Sequence, residues 1–142
     1  LSRQPDPGRR RLHPHPGGTF TASGGITVNC AIEAQLTNML NAARNSGLVL
    51  TGGGYRDPSE QIRLRQKHCG TSYYAIYEMS PGACSPPTAR PGQSQHEIGL
   101  AIDFRNCSYR STACYQWLAA NAASFGFYNL PSESWHWSTT GG

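Results

Sequence analysis

The apolar positions of this chain fall into short groups whose spacing changes character along the sequence. After Asn29, the residues Ile32, Leu36, Met39, Leu40 and Ala43 follow an i, i+4, i+7, i+8, i+11 rhythm, the single stripe of an amphipathic helix. Asn29 can cap its start and Gly47 can stop it. Leu48-Val49-Leu50 reads as a short buried strand that delivers Gly52-Gly53-Gly54-Tyr55-Arg56 at its end. Asp57-Pro58-Ser59-Glu60 has the form of a helix start, in which Asp caps, Pro takes the first helical position and Glu reaches back to the cap. This second helix is expected to end at Gly70. Ser80 to Gly92, dense in Pro and Gly, reads as a long loop.

From Ile98 the residues alternate, with Ile98, Leu100, Ile102 and Phe104 on one face and Gly99, Ala101 and Asp103 on the other. That is strand periodicity. A third helix fits Thr112 to Phe125, with Cys114, Trp117, Leu118 and Phe125 inward and Gly126 as terminator. Phe127 to Trp137 reads as two short strands around a turn at Pro131. No internal repeat is visible. Helices grouped with short, mostly hairpin-like strands predict an α+β domain, a small antiparallel sheet with helices packed on it.

A length of 142 residues fits one domain. Residues 1–18, rich in Pro, Gly and Arg, have the composition of a flexible linker, which leaves 19–142 as the folded domain. His13 and His15 lie in that tail and are not expected to be ligands. The 37% hydrophobic fraction with 16 Gly and 10 Pro favours a loop-rich globule over a helical bundle. No apolar run approaches the roughly 20 residues of a membrane span. No signal peptide opens the chain, so the start at Leu1 reads as a processed or excised piece with any export signal upstream. The net charge of +4 could draw the protein to an anionic polymer such as a cell wall, although an ordinary soluble surface is the simpler account. The basic residues are not interleaved with aromatics, so no nucleic-acid partner is expected.

Five cysteines in so short a chain favour an oxidising compartment. With no C-x-x-C present, a Cys-rich zinc site or thioredoxin-type pair is not expected. Cys69 with Cys84, and Cys107 with Cys114, would each close a short loop rich in turn residues. Cys30 is left over, either as a small hydrophobe in a helix or as a partner for a cysteine outside this sequence.

The densest chemistry lies in Ser94-Gln95-His96-Glu97-Ile98-Gly99-Leu100-Ala101-Ile102-Asp103, answered by Glu133-Ser134-Trp135-His136-Trp137. Two His and one Asp commonly hold Zn²⁺ with a fourth position open, and an extra Glu is what metal-assisted hydrolysis needs as a base. Asp103 shares its strand face with Gly99 and Ala101, which leaves space beside its carboxylate. His96 is an odd number of residues away, so a flat strand would turn it to the opposite face. The chain must therefore turn or bulge between them, and Gly99 is the residue that permits it. Trp135 and Trp137 should point together away from His136 and either wall the pocket or anchor the strand in the core.

The pattern S-x-H-x-x-G-x-A-x-D followed by E-x-W-H resembles the zinc D-alanyl-D-alanine carboxypeptidases, the VanY-like branch of the LAS peptidases. The likeness runs from about Gly25 to Trp137 and includes Gly53-Gly54-Tyr55-Arg56, Gln61, Thr88-Ala89-Arg90-Pro91-Gly92 and Asn129-Leu130-Pro131. It implies the fold shared by these peptidases and the hedgehog signalling domain, and a single Zn²⁺ held by His96, Asp103 and His136. It also implies Glu133 as the catalytic base and Arg56 as the group that polarises the scissile carbonyl. Gln61, Ser94, Arg90, Tyr55 and Trp137 are implied substrate contacts, with Arg90 and Ser94 in a loop that holds a substrate carboxylate. Glu97 is a weaker candidate for the base, and His68, with no matching role, is expected on the exposed side of the second helix. Gly53 stands where Ser is frequent, and Ser134 where Pro often stands.

The function so implied is that of a secreted or wall-facing bacterial metallopeptidase, a monomer that removes the terminal D-alanine of peptidoglycan stem peptides. One alternative is an endopeptidase for L-alanyl-D-glutamate links. The other is a non-catalytic zinc-bearing cell-wall-binding module, against which Glu133 and Arg56 argue, since a binder needs neither base nor oxyanion donor.

Overall fold

The structure, a computed structural model, describes residues 19–142; the expected linker with His13 and His15 lies outside the described residues. Two antiparallel strands, β1 (Phe20–Ser23) and β2 (Ile26–Asn29), form a hairpin that the apolar pattern did not predict. Its two-residue turn is Gly24-Gly25, both at positive φ, the conformation that a tight hairpin turn requires and that glycine adopts without steric cost. Ile26 and Val28 point from β2 into the core.

Asn29 caps the next helix as expected, its Oδ1 accepting from the Ala31 amide at 2.9 Å. The first turn, Cys30–Ile32, is a tighter 3₁₀ turn, and α1 proper spans Glu33–Asn45. Leu36, Met39, Leu40 and Ala43 are all buried, so the stripe faces the core. Gly47 at φ +85° ends the run. Leu48-Val49-Leu50 is not a strand: Leu50 is buried but Val49 is 68% exposed. The strand comes later and is shorter, β3 (Gly52–Gly53). It pairs Gly52 with Phe104 and Gly53 with Asp103, and a Cβ on Gly52 would collide with the Asp103 carbonyl oxygen. Backbone proximity, not side-chain burial, defines this strand, and an apolar pattern cannot register it.

Helix α2 (Pro58–His68) begins with the expected capping box on Asp57 and ends two residues before Gly70. A short helix, α3 (Tyr73–Tyr77), follows with Ser72 as its cap; with no apolar stripe of its own, it was not expected. The two are joined through Arg65, which is fully buried. Its guanidinium donates to the carbonyls of Ile76 (2.9 Å), Ala75 (2.8 Å), Met79 (2.7 Å) and Thr88 (2.6 Å). These include the otherwise unpaired carbonyls at the end of α3, so one side chain caps that helix and pins the following loop. The Cys69–Cys84 disulfide closes the same region, and a second disulfide joins Cys107 to Cys114. Both pairs are those expected, and Cys30 lies half-buried in its 3₁₀ turn.

Strand β4 covers Ala101–Phe104, three residues shorter at its start than the alternation implied. Ile98, expected inward, is 48% exposed because His96 to Gly99 form a turn instead. Helix α4 (Ala113–Asn121) is capped by Thr112 and continues as a 3₁₀ turn to Phe125 before Gly126. Strands β5 (Tyr128–Leu130) and β6 (Glu133–Ser138) flank Pro131 as expected. The main sheet is antiparallel in the order β3-β4-β6-β5. Its inner face (Ile102, Phe104, Trp137) packs with α1, α4, Ile26 and Val28 around one apolar core. The α+β architecture matches the expectation. Among the described residues no helix is long and apolar enough to cross a membrane.

Candidate metal centre and cleft

Gly99, at φ +72°, makes the turn that the parity of His96 and Asp103 demanded, and its amide donates to the His96 carbonyl at 3.0 Å. A Cβ at Gly99 would sit 2.6 Å from the Asn29 amide nitrogen, so glycine is required on both counts. Asp103 and His136 face each other because β4 and β6 pair them directly. The result is a compact triangle: Asp103 Oδ1 lies 3.1 Å from His96 Nε2 and 3.0 Å from His136 Nδ1.

The protons of the two imidazoles show what the triangle is for. His96 Nδ1 lies 2.8 Å from the Gly54 carbonyl, and His136 Nε2 lies 2.8 Å from the Gly142 carbonyl. A carbonyl only accepts, so each ring spends its N–H there, and the lone pair on its other nitrogen points at the Asp103 carboxylate. Three electron-rich atoms then converge within 4.8 Å of one another, and His96 Nε2 is buried without a hydrogen-bond partner. Such a set is repulsive unless a cation sits inside it. Ligand atoms about 2.0–2.1 Å from a tetrahedral zinc ion lie roughly 3.3 Å apart, close to the spacing found, so the donor set fits zinc.

Burial pushes the Asp103 carboxyl up, but the adjacent imidazoles of His136 and His96 outweigh it and hold the pKa far below the usual range. Burial pushes His136 down, against the stronger upward pull of Asp103, the Gly142 carbonyl and Glu133, so its pKa rises. Glu133 is raised chiefly by burial, with the Asp103 charge adding and His136 opposing.

Glu133 Oε1 lies 3.8 Å from His136 Nδ1. Residues three apart on a regular strand face opposite ways, yet both reach the same site. The pairing explains it: Asn129 opposes Trp137 while the next residue, Leu130, opposes Glu133, a bulge with the surplus residues on β6. The Asn129 amide spans the bulge, donating to the carbonyls of Glu133 at 2.9 Å and His136 at 3.1 Å.

These groups open into a cleft of about 510 Å³ whose lining includes Arg56, Gln61, His68, Ser94, Glu133 and Trp135. Arg56 NH2 lies 3.5 Å from Asp103 Oδ2, and its NH1 donates to Gln61 Oε1 at 2.9 Å. Gln61 is buried and its amide also donates to the Ala89 carbonyl at 2.8 Å. With its amide oxygen accepting from Arg56 and one N–H given to Ala89, Gln61 braces Arg56 at the cleft. Ser94 lies in the cleft and its hydroxyl accepts from the His96 amide at 3.1 Å.

Other expected contacts lie elsewhere. Trp137 is buried in the core, its indole donating to the Ser134 carbonyl at 3.0 Å; the bulge sends Trp135, not Trp137, into the cleft. Tyr55 packs on Phe20 with ring centroids 4.0 Å apart and is not part of the lining. Arg90 turns to the Glu78 carbonyl, donating at 3.1 and 3.2 Å. Glu97 accepts from the amides of Gly92 and Ser94, which closes its own loop outside the cleft lining. His68, expected on the exposed side, lies half-buried in the cleft wall; its i, i+7 relation to Gln61 on α2 was the available signal.

A family model described as VanY, D-alanyl-D-alanine carboxypeptidase, matches residues 25–141. The chain belongs to this family. A curated relative in Enterococcus faecalis, a D-alanyl-D-alanine carboxypeptidase, is 27% identical over an alignment that covers 84% of this chain and 50% of the relative. The chain thus spans about half the length of that relative. Among solved structures, VanYB in complex with D-Alanine-D-Alanine is 28% identical with a TM-score of 0.63, covering 84% of this chain and 75% of the other. The vancomycin-resistance D,D-pentapeptidase VanY from a VanB-type cassette, a glutamate-to-alanine mutant in complex with Zn(II), is 25% identical with a TM-score of 0.61 over 90% of this chain and 83% of the other. VanY membership agrees with the resemblance drawn from the sequence motifs.

Proposed function

We propose that this chain is a zinc-dependent carboxypeptidase that removes the terminal D-alanine from peptidoglycan stem peptides outside the bacterial cytoplasm. The observation that carries the reading is the convergence of two imidazole lone pairs and a carboxylate beside Glu133 in an open cleft. VanY membership and the D-Alanine-D-Alanine and Zn(II) complexes of its structural neighbours support the substrate and the metal. The two disulfides suit an extracytoplasmic setting.

His96, Asp103 and His136 would hold one zinc ion, which would supply a Lewis acid for the scissile carbonyl and make water easier to deprotonate. Glu133 takes the proton from the attacking water at its carboxylate and passes it to the leaving amine. Arg56, aimed by Gln61 and steadied by Asp103, donates its remaining N–H groups to the carbonyl oxygen as negative charge grows there. Trp135 and the prolines of the opposite wall limit bulk water around the reacting groups. Asn129 keeps Glu133 and His136 on one side of the sheet, the arrangement on which the proton transfer depends.

The test is a digest. A pentapeptide ending in D-Ala-D-Ala, incubated with zinc-loaded protein, is expected to lose one alanine by mass, and its C-terminally amidated form to resist cleavage. Release of larger fragments, or equal rates on the two peptides, would overturn the carboxypeptidase reading in favour of internal cleavage.

A further inference from the structure

His68 belongs to none of the motifs that mark the site, yet its ring is anchored in the far wall of the cleft. Its Nδ1 lies 2.7 Å from the Thr88 hydroxyl, and that hydroxyl donates its one proton to the Pro86 carbonyl at 2.9 Å. Towards the imidazole, Thr88 can therefore only accept, so His68 donates from Nδ1. Its carbonyl accepts from the Ser85 amide at 2.9 Å, and the adjacent Cys69 is bonded to Cys84. The Thr88 hydrogen bond orients the ring and the other two ties hold the backbone that carries it, and both His68 and Thr88 line the cleft. Burial lowers the His68 pKa, and the charges of Lys67 and Arg56 lower it further, which leaves the ring neutral near pH 7. The Nε2 lone pair then has no partner among the described residues and is an acceptor offered to the cleft.

Position along α2 says what could meet it. Gln61, Leu64 and His68 form one face at i, i+3 and i+7, and all three line the cleft. Seven residues of helix put His68 about 10 Å from Gln61, the residue that orients Arg56 at the reacting carbonyl. An extended peptide covers that distance in about three residues at roughly 3.3 Å each. A carboxypeptidase releases a single residue, too short to span it. Only the acyl side of the substrate can.

We propose that His68 is a specificity-determining residue that accepts a hydrogen bond from an N–H donor of the stem peptide, two or three residues upstream of the scissile bond. The donor is either a backbone amide or the side-chain ammonium of the third residue. The inference rests on the carboxypeptidase reading above and extends it from the reacting bond to the body of the substrate.

Two substrates test it: acetyl-D-Ala-D-Ala, which stops short of His68, and a pentapeptide with lysine third and D-Ala-D-Ala at its end. His68→Phe is expected to lower kcat/KM on the pentapeptide roughly 5- to 10-fold, the worth of one hydrogen bond, mainly through KM, with the short substrate unchanged. His68→Gln, which keeps an acceptor and a donor for Thr88, should recover part of the loss. A pentapeptide with norleucine in place of lysine separates the two donors: if wild type and His68→Phe then match, the ammonium is the partner, and if the gap persists, the amide is. Equal losses on long and short substrates, or no loss on either, would overturn the proposal. Failure of the wild-type protein to cleave either substrate would instead count against the carboxypeptidase reading.

Discussion

Asp103, His136 and Glu133 stand on paired strands, whereas His68, Thr88 and the prolines opposite them stand on chain that no sheet supports. The first wall takes its geometry from backbone register: β4 and β6 set Asp103 opposite His136 before any side chain is chosen. The second is assembled by side chains, with Arg65 gathering four carbonyls and a disulfide closing the loop. The contrast is between a wall that must place reacting atoms within tenths of an ångström and a wall that must only present a surface. Ladder hydrogen bonds serve the first need.

The largest expected effect strikes the sheet wall. Glu133→Gln should lower kcat by roughly 10²- to 10⁴-fold while metal analysis still finds one zinc. His96→Ala and His136→Ala should lose the metal itself, because two protein ligands are too few for a tight catalytic site. Retention of one full equivalent of zinc by both histidine variants, or a fully active Glu133→Gln, would remove the sheet from its role.

Arg65→Met reverses the emphasis. It leaves four carbonyls without their donor, and each buried acceptor so stranded costs about 1–3 kcal/mol before water reaches it. A net loss of about 3 kcal/mol or more is expected in a denaturant titration. Limited proteolysis should open the chain between α2 and the Thr88 loop first, while zinc stoichiometry in the folded fraction holds. Simultaneous loss of zinc and of that loop would show that the two walls are a single unit.

The disulfides give a finer comparison. Closure of 15 residues by Cys69–Cys84 and of 7 by Cys107–Cys114 is worth about 3 and 2.4 kcal/mol respectively in the chain-entropy model. Replacing the first pair by serines should therefore lower Tm more than replacing the second. The opposite order would mean that the helical wall is held by Arg65 with little help from its cross-link. The smallest effect is Thr112→Ala, which removes the cap on α4 and should cost about 1 kcal/mol without changing kcat, since α4 supports the sheet from behind.

The same division governs what could be read from the sequence. Helix caps at Asn29 and Asp57, the disulfide loops and the necessity of a turn at Gly99 are local properties, and a local pattern expresses them. The metal triad was legible because its members sit in short motifs with fixed spacing. The positions of Arg90 and Tyr55, both outside the cleft lining, were not: their neighbours, Glu78 and Phe20, are supplied from elsewhere in the chain, and no spacing rule carries that information. Trp137 follows the regular alternation, away from His136 and into the core, whereas the bulge turns Trp135 into the cleft, which no local alternation could foretell. The β1–β2 hairpin did leave a signal, Gly24-Gly25 between two runs that include β-branched residues, but its strands are only four residues long. Helix α3 left almost none; its ends are held by Ser72 and Arg65, not by an apolar stripe.

The bulge on β6 also decides how this site can change over time. Glu133 and His136 share a side of the sheet only because of the number of residues between them, and Asn129 reads that number through two carbonyls, whatever side chains Ser134 and Trp135 carry. Substitutions there alter packing by degrees. Losing or gaining one residue would invert the facing of Glu133 in a single step. The segment is thus expected to accept many changes of letter and no change of length, so a library of variants across it should yield active members from substitutions and none from single-residue insertions or deletions.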